Sequence, residues 1–175
     1  TSFVDNTLYL NGIYSYNGGY YAAAENLTNF DYRTFTVSVD FFPLASTGEQ
    51  TSLIVGGSSY RWFSLKFSGD KLALNLNGLS YTHTFQTTQI ALDQWHNVIC
   101  AVDLTQGIVR TQLDGVTLEE VTLPEGFTFN VIGSSSEPYD KKFLFTNYST
   151  GKVFYGFIDN LWLYNRALSS GEMLS

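Results

Sequence analysis

Apolar and polar side chains alternate along several short stretches of this chain. In the clearest stretch, Phe35, Val37, Val39 and Phe41 are separated by Thr, Ser and Asp. Because successive side chains of a β-strand point to opposite faces, this pattern predicts a strand with one buried face. Similar stretches occur at 52–55, 63–67, 72–76, 95–103, 109–113 and 116–121.

Turn residues separate these stretches. Ser68-Gly69-Asp70, Asn77-Gly78 and Asp114-Gly115 are short turn sequences that favour hairpins. Helix is predicted only near the end, where Ser169 and Glu172 have the spacing of a capping box. Many short strands joined by tight turns predict an all-β fold, an antiparallel β-sandwich formed by a single domain over residues 1–175.

The last predicted strand contains a change of parity. Phe154 and Ile158 are apolar at even positions, whereas Leu161 and Leu163 are apolar at odd positions. A regular strand cannot bury both pairs on one face, so the pattern predicts a β-bulge between Ile158 and Leu161. Asp159, with an oxygen-bearing side chain, lies at this point.

Composition narrows the range of functions. Hydrophobic residues make up 44% of the chain and charged residues only 14%, a balance that suits a secreted or cell-surface module. Nine Lys and Arg against 16 Asp and Glu give a net charge of −7, so we predict no nucleic-acid partner. The longest apolar runs are too short to span a bilayer, so we predict no membrane insertion. The only cysteine, Cys100, alternates with Val98 and Val102 and is expected to be a buried small side chain.

Five short motifs, spread over nearly the whole chain, carry a family resemblance. The clearest is the closing strand and its exit, from Gly156 to Ser169, and the others are Tyr9-Leu10-Asn11-Gly12, Phe35 to Pro43, Trp95-His96-Asn97-Val98 and Leu113-Asp114-Gly115. Taken in chain order, these motifs resemble those of laminin-G-like domains of the concanavalin A-like lectin and glucanase superfamily. The resemblance implies a concanavalin A-like jelly roll and places Trp95 and Trp162 in the structural framework of the family.

The same resemblance implies a structural calcium ion. By position, Asp159 matches the aspartate that binds calcium in related glucanases and laminin-G-like domains. Further oxygen ligands are expected around Asn11, where the family usually has Asp. In the alternative interpretation, Asp159 accepts hydrogen bonds from backbone N–H groups at the bulge.

Aromatic side chains beside polar groups point to carbohydrate binding. Sugars present apolar C–H faces rimmed by hydroxyl groups, so a site needs an exposed aromatic ring and nearby amide, carboxylate or guanidinium groups. Two loops and one strand have this composition, and we predict a carbohydrate site from seven of their residues: Tyr60, Arg61, Trp62, Tyr81, His83, Tyr139 and Asp140. The alternative for Trp62 is that it covers the edge of the core.

The sequence does not favour an enzyme. Glucanases of the resembled fold carry Glu-x-Asp-x-(x)-Glu on one strand, and no such run occurs here. Glu119 and Glu120 are adjacent and should point to opposite faces, and His96 is expected to be packed and hydrogen-bonded. We therefore predict a non-catalytic module that binds an oligo- or polysaccharide. A protein-binding adhesion or spacer module is the alternative, and a polysaccharide-cleaving enzyme is less favoured.

Overall fold

The computed structural model describes residues 3–4, 7–10, 13–15, 22–24, 27, 30–44, 49–57, 62–77, 81–86, 89–129, 143–145 and 156–174. These residues form β1 (Phe3–Val4), β2 (Thr7–Leu10), β3 (Ile13–Ser15), β4 (Ala22–Ala24), β5 (Thr34–Pro43), β6 (Glu49–Gly56), β7 (Phe63–Ser68), β8 (Lys71–Leu76), β9 (Tyr81–Thr84), β10 (His96–Asp103), β11 (Ile108–Leu113), β12 (Val116–Thr122), β13 (Phe143–Phe145), β14 (Gly156–Tyr164) and the helix α1 (Ser170–Met173).

The strands form two antiparallel sheets. The eight-stranded sheet has the order β1-β2-β14-β5-β10-β11-β12, and β3 also pairs with β14. The six-stranded sheet has the order β4-β13-β6-β7-β8-β9. Both inner faces contribute to one hydrophobic core, and α1 is the only helix within the described ranges. The predicted antiparallel β-sandwich is therefore confirmed.

The apolar residues of β5 alternate toward the core as predicted, but Thr36 and Ser38 on the opposite face are also buried, since the chain after β14 packs against Thr36. Phe35, Val37, Val39 and Phe41 are each fully buried and face the six-stranded sheet. The ring of Phe35 packs edge-on against Phe63 at a centroid distance of 5.4 Å. Such edge-to-face contacts between aromatic rings add to the stabilisation that burial of their area provides.

The predicted bulge in β14 is confirmed. Asp159 is in register with Asp40 on β5, but the next registered pair is Trp162 with Ser38. Two residues of β14 thus lie opposite one residue of β5, and Asn160 takes the left-handed conformation with φ of 45°. The extra residue restores the inward direction of the apolar side chains after the bulge. It also leaves Trp162 on the outer face of the eight-stranded sheet.

The helix α1 covers one end of that outer face. Its N-cap is Ser169, whose side chain accepts from the backbone N of Glu172, while the Glu172 side chain accepts from the Ser169 backbone N, as the capping box predicts. Met173 is buried with Ala101, a residue of β10. In the described part of the chain, no helix has the length and apolar character needed to cross a membrane.

Candidate functional site

Trp62 is buried, so the prediction that it forms an exposed stacking surface is wrong. Its side chain is 1% exposed. The indole lies 5.3 Å from the ring of Tyr32, 5.1 Å from Phe129 and 5.1 Å from Phe143, measured between ring centroids. The physical reason is that a large apolar ring gains more from this aromatic core cluster than from solvent. The alternative that Trp62 belongs to the core is the correct one.

Five other predicted site residues lie outside the described residues. They are Tyr60, Arg61, Tyr139 and Asp140 of the carbohydrate site and Asn11 of the calcium site. Their assignments stay predictions.

Tyr81 and His83 lie on one face of β9, as predicted, but that face points inward. They are in register with the buried residues Leu76 and Leu74. Both are half-buried, and burial, with a smaller contribution from the charge of Glu119, raises the pKa of Tyr81. The expectation that they extend an exposed platform is therefore wrong.

The role of His83 is to link the two sheets at their edges. Its Nε2 lies 2.6 Å from Oε1 of Glu119, a residue of β12. Strands β9 and β12 are the last strands of the six-stranded and eight-stranded sheets. The contact therefore closes one side of the sandwich.

Exposed aromatic rings instead cross the outer face of the eight-stranded sheet. Trp95 is 52% exposed, Phe157 is 38% exposed, and Phe42 lies between them on β5. The centroid of Phe42 is 5.6 Å from that of Trp95 and 5.9 Å from that of Phe157, and both contacts are edge-on. We call these three residues the aromatic row.

Hydrogen bonds hold the segment that carries Trp95. The backbone N of Asp93 donates to the carbonyl O of Pro43 at 2.9 Å. His96 contacts the Ala91 carbonyl through Nε2 at 2.9 Å and the Asp114 carboxylate through Nδ1 at 2.7 Å. His96 is 4% exposed and stacks on Phe41, so the prediction of a packed, hydrogen-bonded histidine is confirmed. The indole of Trp95 is thus attached to a fixed backbone.

A row of polar side chains follows the aromatic row on the same face. It consists of Asn97, Asp40 and Asp159, which lie on three adjacent strands, and we call it the polar row. Asn97 Nδ2 donates to Asp40 Oδ1 at 2.6 Å, and Asn160 Nδ2 donates to Asp40 Oδ2 at 2.7 Å. Residues two apart on one strand are about 7 Å apart, so one ligand can contact both rows.

Sequence reasoning missed this surface because it assigned Trp95 to the family framework. The expectation that Trp95 and Trp162 are structural is corrected by their exposures of 52% and 36%. The sequence did contain a signal for the exposure of Trp95, because Trp95 lies an odd number of positions before the buried residues Val98 and Cys100. A residue out of phase with a buried face points to the other face.

The described residues do not by themselves make up a calcium site. Asp159 accepts from the backbone N of Asn160 at 2.8 Å, as the hydrogen-bonded alternative predicts. The nearest carboxylate in register, Asp40, accepts an amide N–H on each oxygen. Among the described residues, no group of three or more His, Cys, Asp or Glu converges. Calcium stays a prediction that depends on oxygen ligands from residues such as Asn11.

The adjacent carboxylates of β12, among the described residues, do not form the array expected of a glucanase strand. Glu119 faces His83, whereas Glu120 pairs with Arg110 at 2.8 Å, so the two adjacent residues point apart as predicted. Asp40 and Asp159, in contrast, are brought together across neighbouring strands. Sequence reasoning missed this pair because 119 positions separate the two residues, and only the register of β5 against β14 brings them together.

Solved structures that resemble this chain share its fold at low sequence identity. One is botulinum neurotoxin type C, whose cell entry depends on interaction with two ganglioside molecules (TM-score 0.59, 12% identity, 83% of this chain and 35% of that one). Another is the binding domain of botulinum neurotoxin DC in complex with rat synaptotagmin II (TM-score 0.57, 11% identity, 83% and 35%). A third is Trypanosoma rangeli sialidase (TM-score 0.57, 17% identity, 81% and 22%).

The chain spans about a third or less of the length of these structures. A search of curated protein sequences finds no significant match. A laminin-G family model described as the concanavalin A-like lectin/glucanases superfamily matches residues 16–173. The sequence motifs, the two antiparallel sheets and this match agree, and the chain belongs to the concanavalin A-like lectin/glucanase superfamily.

Proposed function

We propose that this chain is a non-catalytic glycan-binding module of a secreted or cell-surface protein, and that the glycan lies across the aromatic row. One observation carries the proposal. Three aromatic side chains, two of them well exposed, lie side by side on a rigid sheet, and polar side chains border them on the same face. This combination is what a ligand with apolar faces and hydroxyl rims requires.

The arrangement favours stacking. Trp95 presents the largest exposed aromatic surface of the row, and its backbone is fixed before any ligand arrives. Little conformational entropy is then lost when a sugar binds, which favours affinity. The row crosses three strands and spans about 10 Å, since neighbouring strands are about 4.8 Å apart. An oligosaccharide fits a surface of this length.

The comparisons support the proposal. A toxin of the same fold depends on gangliosides, and a sialidase shares the fold as well. The carboxylates distinguish a binding module from a hydrolase, because a hydrolase uses two of them to cleave the glycosidic bond. Asp40 uses both oxygens to accept amide N–H groups, so it holds two neighbouring side chains in place. We infer a positioning role for Asp40 and no hydrolytic step.

Replacement of Trp95 tests the proposal. On a glycan array, followed by titration of the best hit, we expect Trp95→Ala to weaken binding about tenfold, the equivalent of about 1.4 kcal/mol. Trp162→Ala is the matched control, because Trp162 is exposed on the same face but lies beyond the polar row and stacks on Tyr164. No loss in Trp95→Ala would place the glycan elsewhere, and equal losses in both variants would show that the glycan is not centred on the aromatic row.

Incubation of the array hit with the wild-type chain tests whether the chain cleaves the glycan that it binds. We expect no release of reducing sugar. Release that disappears in Asp40→Asn or Asp159→Asn would show that this carboxylate pair cleaves the ligand, since two carboxylates flanking a glycosidic bond are the usual machinery for hydrolysis.

A protein partner is the second candidate. Leu92 is 43% exposed in the segment that carries Trp95, and it adds aliphatic surface that a sugar does not use. A neurotoxin domain of the same fold is known in complex with rat synaptotagmin II. Binding of a protein ligand that Leu92→Ala weakens, together with an array on which nothing binds, would favour this candidate.

A further inference from the structure

We propose that the site selects neutral glycans, whose hydroxyl groups donate hydrogen bonds, over sialylated and other anionic glycans. This inference rests on the proposed function and adds the class of ligand. Two properties of the polar row support it: the positions that it offers to a ligand accept hydrogen bonds, and its charged side chains are acidic.

The polar row offers acceptors to a ligand. A carboxylate can only accept, so the atom of Asn97 that lies 2.6 Å from Asp40 Oδ1 is its amide nitrogen. The same nitrogen also lies 3.4 Å from Ser38 Oγ, which engages both of its hydrogens. What Asn97 retains for a ligand is its carbonyl oxygen. Asp40 also retains accepting capacity, because each carboxylate oxygen has about two lone-pair sites and one is used on each.

The hydroxyl groups of a neutral sugar match these acceptors. A sugar hydroxyl donates one hydrogen bond, and a bond to an ionised acceptor is stronger than one between neutral groups. A carboxylate, sulfate or phosphate group of a glycan has no hydrogen to donate at neutral pH. Placed over the polar row, such a group would leave the acceptors without partners and would lose its own hydration.

The charges point the same way. Asp40 and Asp159 lie next to each other in the polar row, and Asp93 is exposed in the segment that carries Trp95. Neither row contains Lys or Arg. The nearest described basic residue in register on β11 is Arg110, which faces Ala101, four residues along β10 from Asn97, and pairs with Glu120. The full chain carries a net charge of −7, so an anionic glycan is repelled both at the site and on approach.

This expectation separates the chain from the botulinum neurotoxin of the same fold that depends on gangliosides. Gangliosides carry sialic acid, a carboxylate sugar. The shared fold does not transfer that ligand, because function depends on the side chains of a site and not on the fold. The described side chains of the polar row on this outer face disfavour an anionic ligand.

The experiment uses an array of neutral oligosaccharides, each printed beside its own sialylated and sulfated form, and the full 175-residue chain. Binding is measured in buffer with EDTA, because a bound cation would cancel carboxylate charge. We expect each neutral member to bind at least tenfold more tightly than its anionic partner. The ratio should fall as NaCl is raised from about 0.05 M to 1 M, because salt screens exposed charges.

Charge-removing variants of similar shape locate the effect. Asp159→Asn and Asp93→Asn should each move the neutral-to-sialylated ratio toward one, while Asp70→Asn, in the turn between β7 and β8, should leave the ratio unchanged. Melting temperatures show whether each variant remains folded. The two Asp variants act at separate positions, so a folding defect in one leaves the other as the test.

The outcomes separate the two proposals. Equal or tighter binding of the sialylated members would overturn the neutral selectivity and leave the glycan-binding function standing. An array on which no glycan binds would overturn both. A neutral preference that survives at high salt and in both variants would overturn the charge argument.

Discussion

Gly56 and Trp62 fit together so closely that the glycine has no room for a side chain. A Cβ atom built on Gly56 would lie 2.6 Å from Cζ2 of the Trp62 ring. The backbone N of Trp62 also donates to the carbonyl O of Gly56 at 3.1 Å. The end of β6 and the start of the next strand are thus joined through one ring and one hydrogen bond, and the absence of a Cβ is what admits the indole into the core.

Gly56→Ala should destabilise the protein. The indole is enclosed by other aromatic rings and cannot move aside cheaply, so we expect a loss of about 1–3 kcal/mol in the free energy of unfolding, typical of an overpacked core. Chemical denaturation measures the loss. Gly171→Ala is the matched control, because open space surrounds that glycine in α1, and we expect no loss. Equal stability of Gly56→Ala and the wild type would show that the backbone around residue 56 can relax.

Two tryptophan variants should separate core from surface. Trp62→Ala removes a ring that is 1% exposed, and we expect a loss of about 3–5 kcal/mol in the free energy of unfolding. Trp95→Ala removes a ring that is 52% exposed, and we expect a loss of about 1 kcal/mol or less. Urea denaturation followed by far-UV circular dichroism compares them. A larger loss for Trp95 than for Trp62 would contradict the burial described for the two rings.

The thiol of Cys100 should be unreactive in the folded protein. Its side chain is fully buried, and burial raises its pKa to about 12. Since the thiolate is the reactive form, a maleimide or disulfide reagent at pH 8 should label no thiol in the native state and one thiol per chain in denaturant. Labelling of the native chain within minutes would mean that β10 opens locally.

A melting experiment tests the predicted calcium ion. If Asp159 and oxygen ligands near Asn11 hold calcium, added calcium should raise the melting temperature and a chelator should lower it, because a ligand bound only to the folded state stabilises that state. Asp159→Ala should abolish the shift, and Asp70→Ala should keep it. If neither calcium nor the chelator changes the melting temperature, the role of Asp159 is to accept the hydrogen bond from the backbone N of Asn160.

Local pattern was enough to predict most of the fold. The alternation around Phe35, the parity change before Leu161 and the capping box at Ser169 each depend on neighbours a few residues away in sequence. Such signals follow from the period of the element and can be read without knowing the fold. This is why the longer strands, the bulge and the helix could be predicted, whereas the short strands β1, β3, β4 and β13 were not.

The site could not be predicted in the same way. The contact of Asp40 with Asn160 joins residues 120 positions apart, and Trp95 meets Phe42 only because β10 and β5 are neighbours. Composition suggested that Trp62 was exposed because polar and aromatic residues adjoin it, but the missing Cβ of Gly56 leaves room for the ring in the core. Distinguishing a buried from an exposed indole required the register of the strands.

His96 has a consequence for protein engineering. Its imidazole joins the backbone at Ala91, the hairpin at Asp114 and the core at Phe41. Randomising Leu92, Gln94 and Trp95 would therefore vary the surface that meets a ligand while both ends of that short segment stay anchored. Asp93 is kept, because its φ of 58° suits few residue types. The segment can serve as a library position on a stable scaffold, provided that His96 and Asp114 are left unchanged.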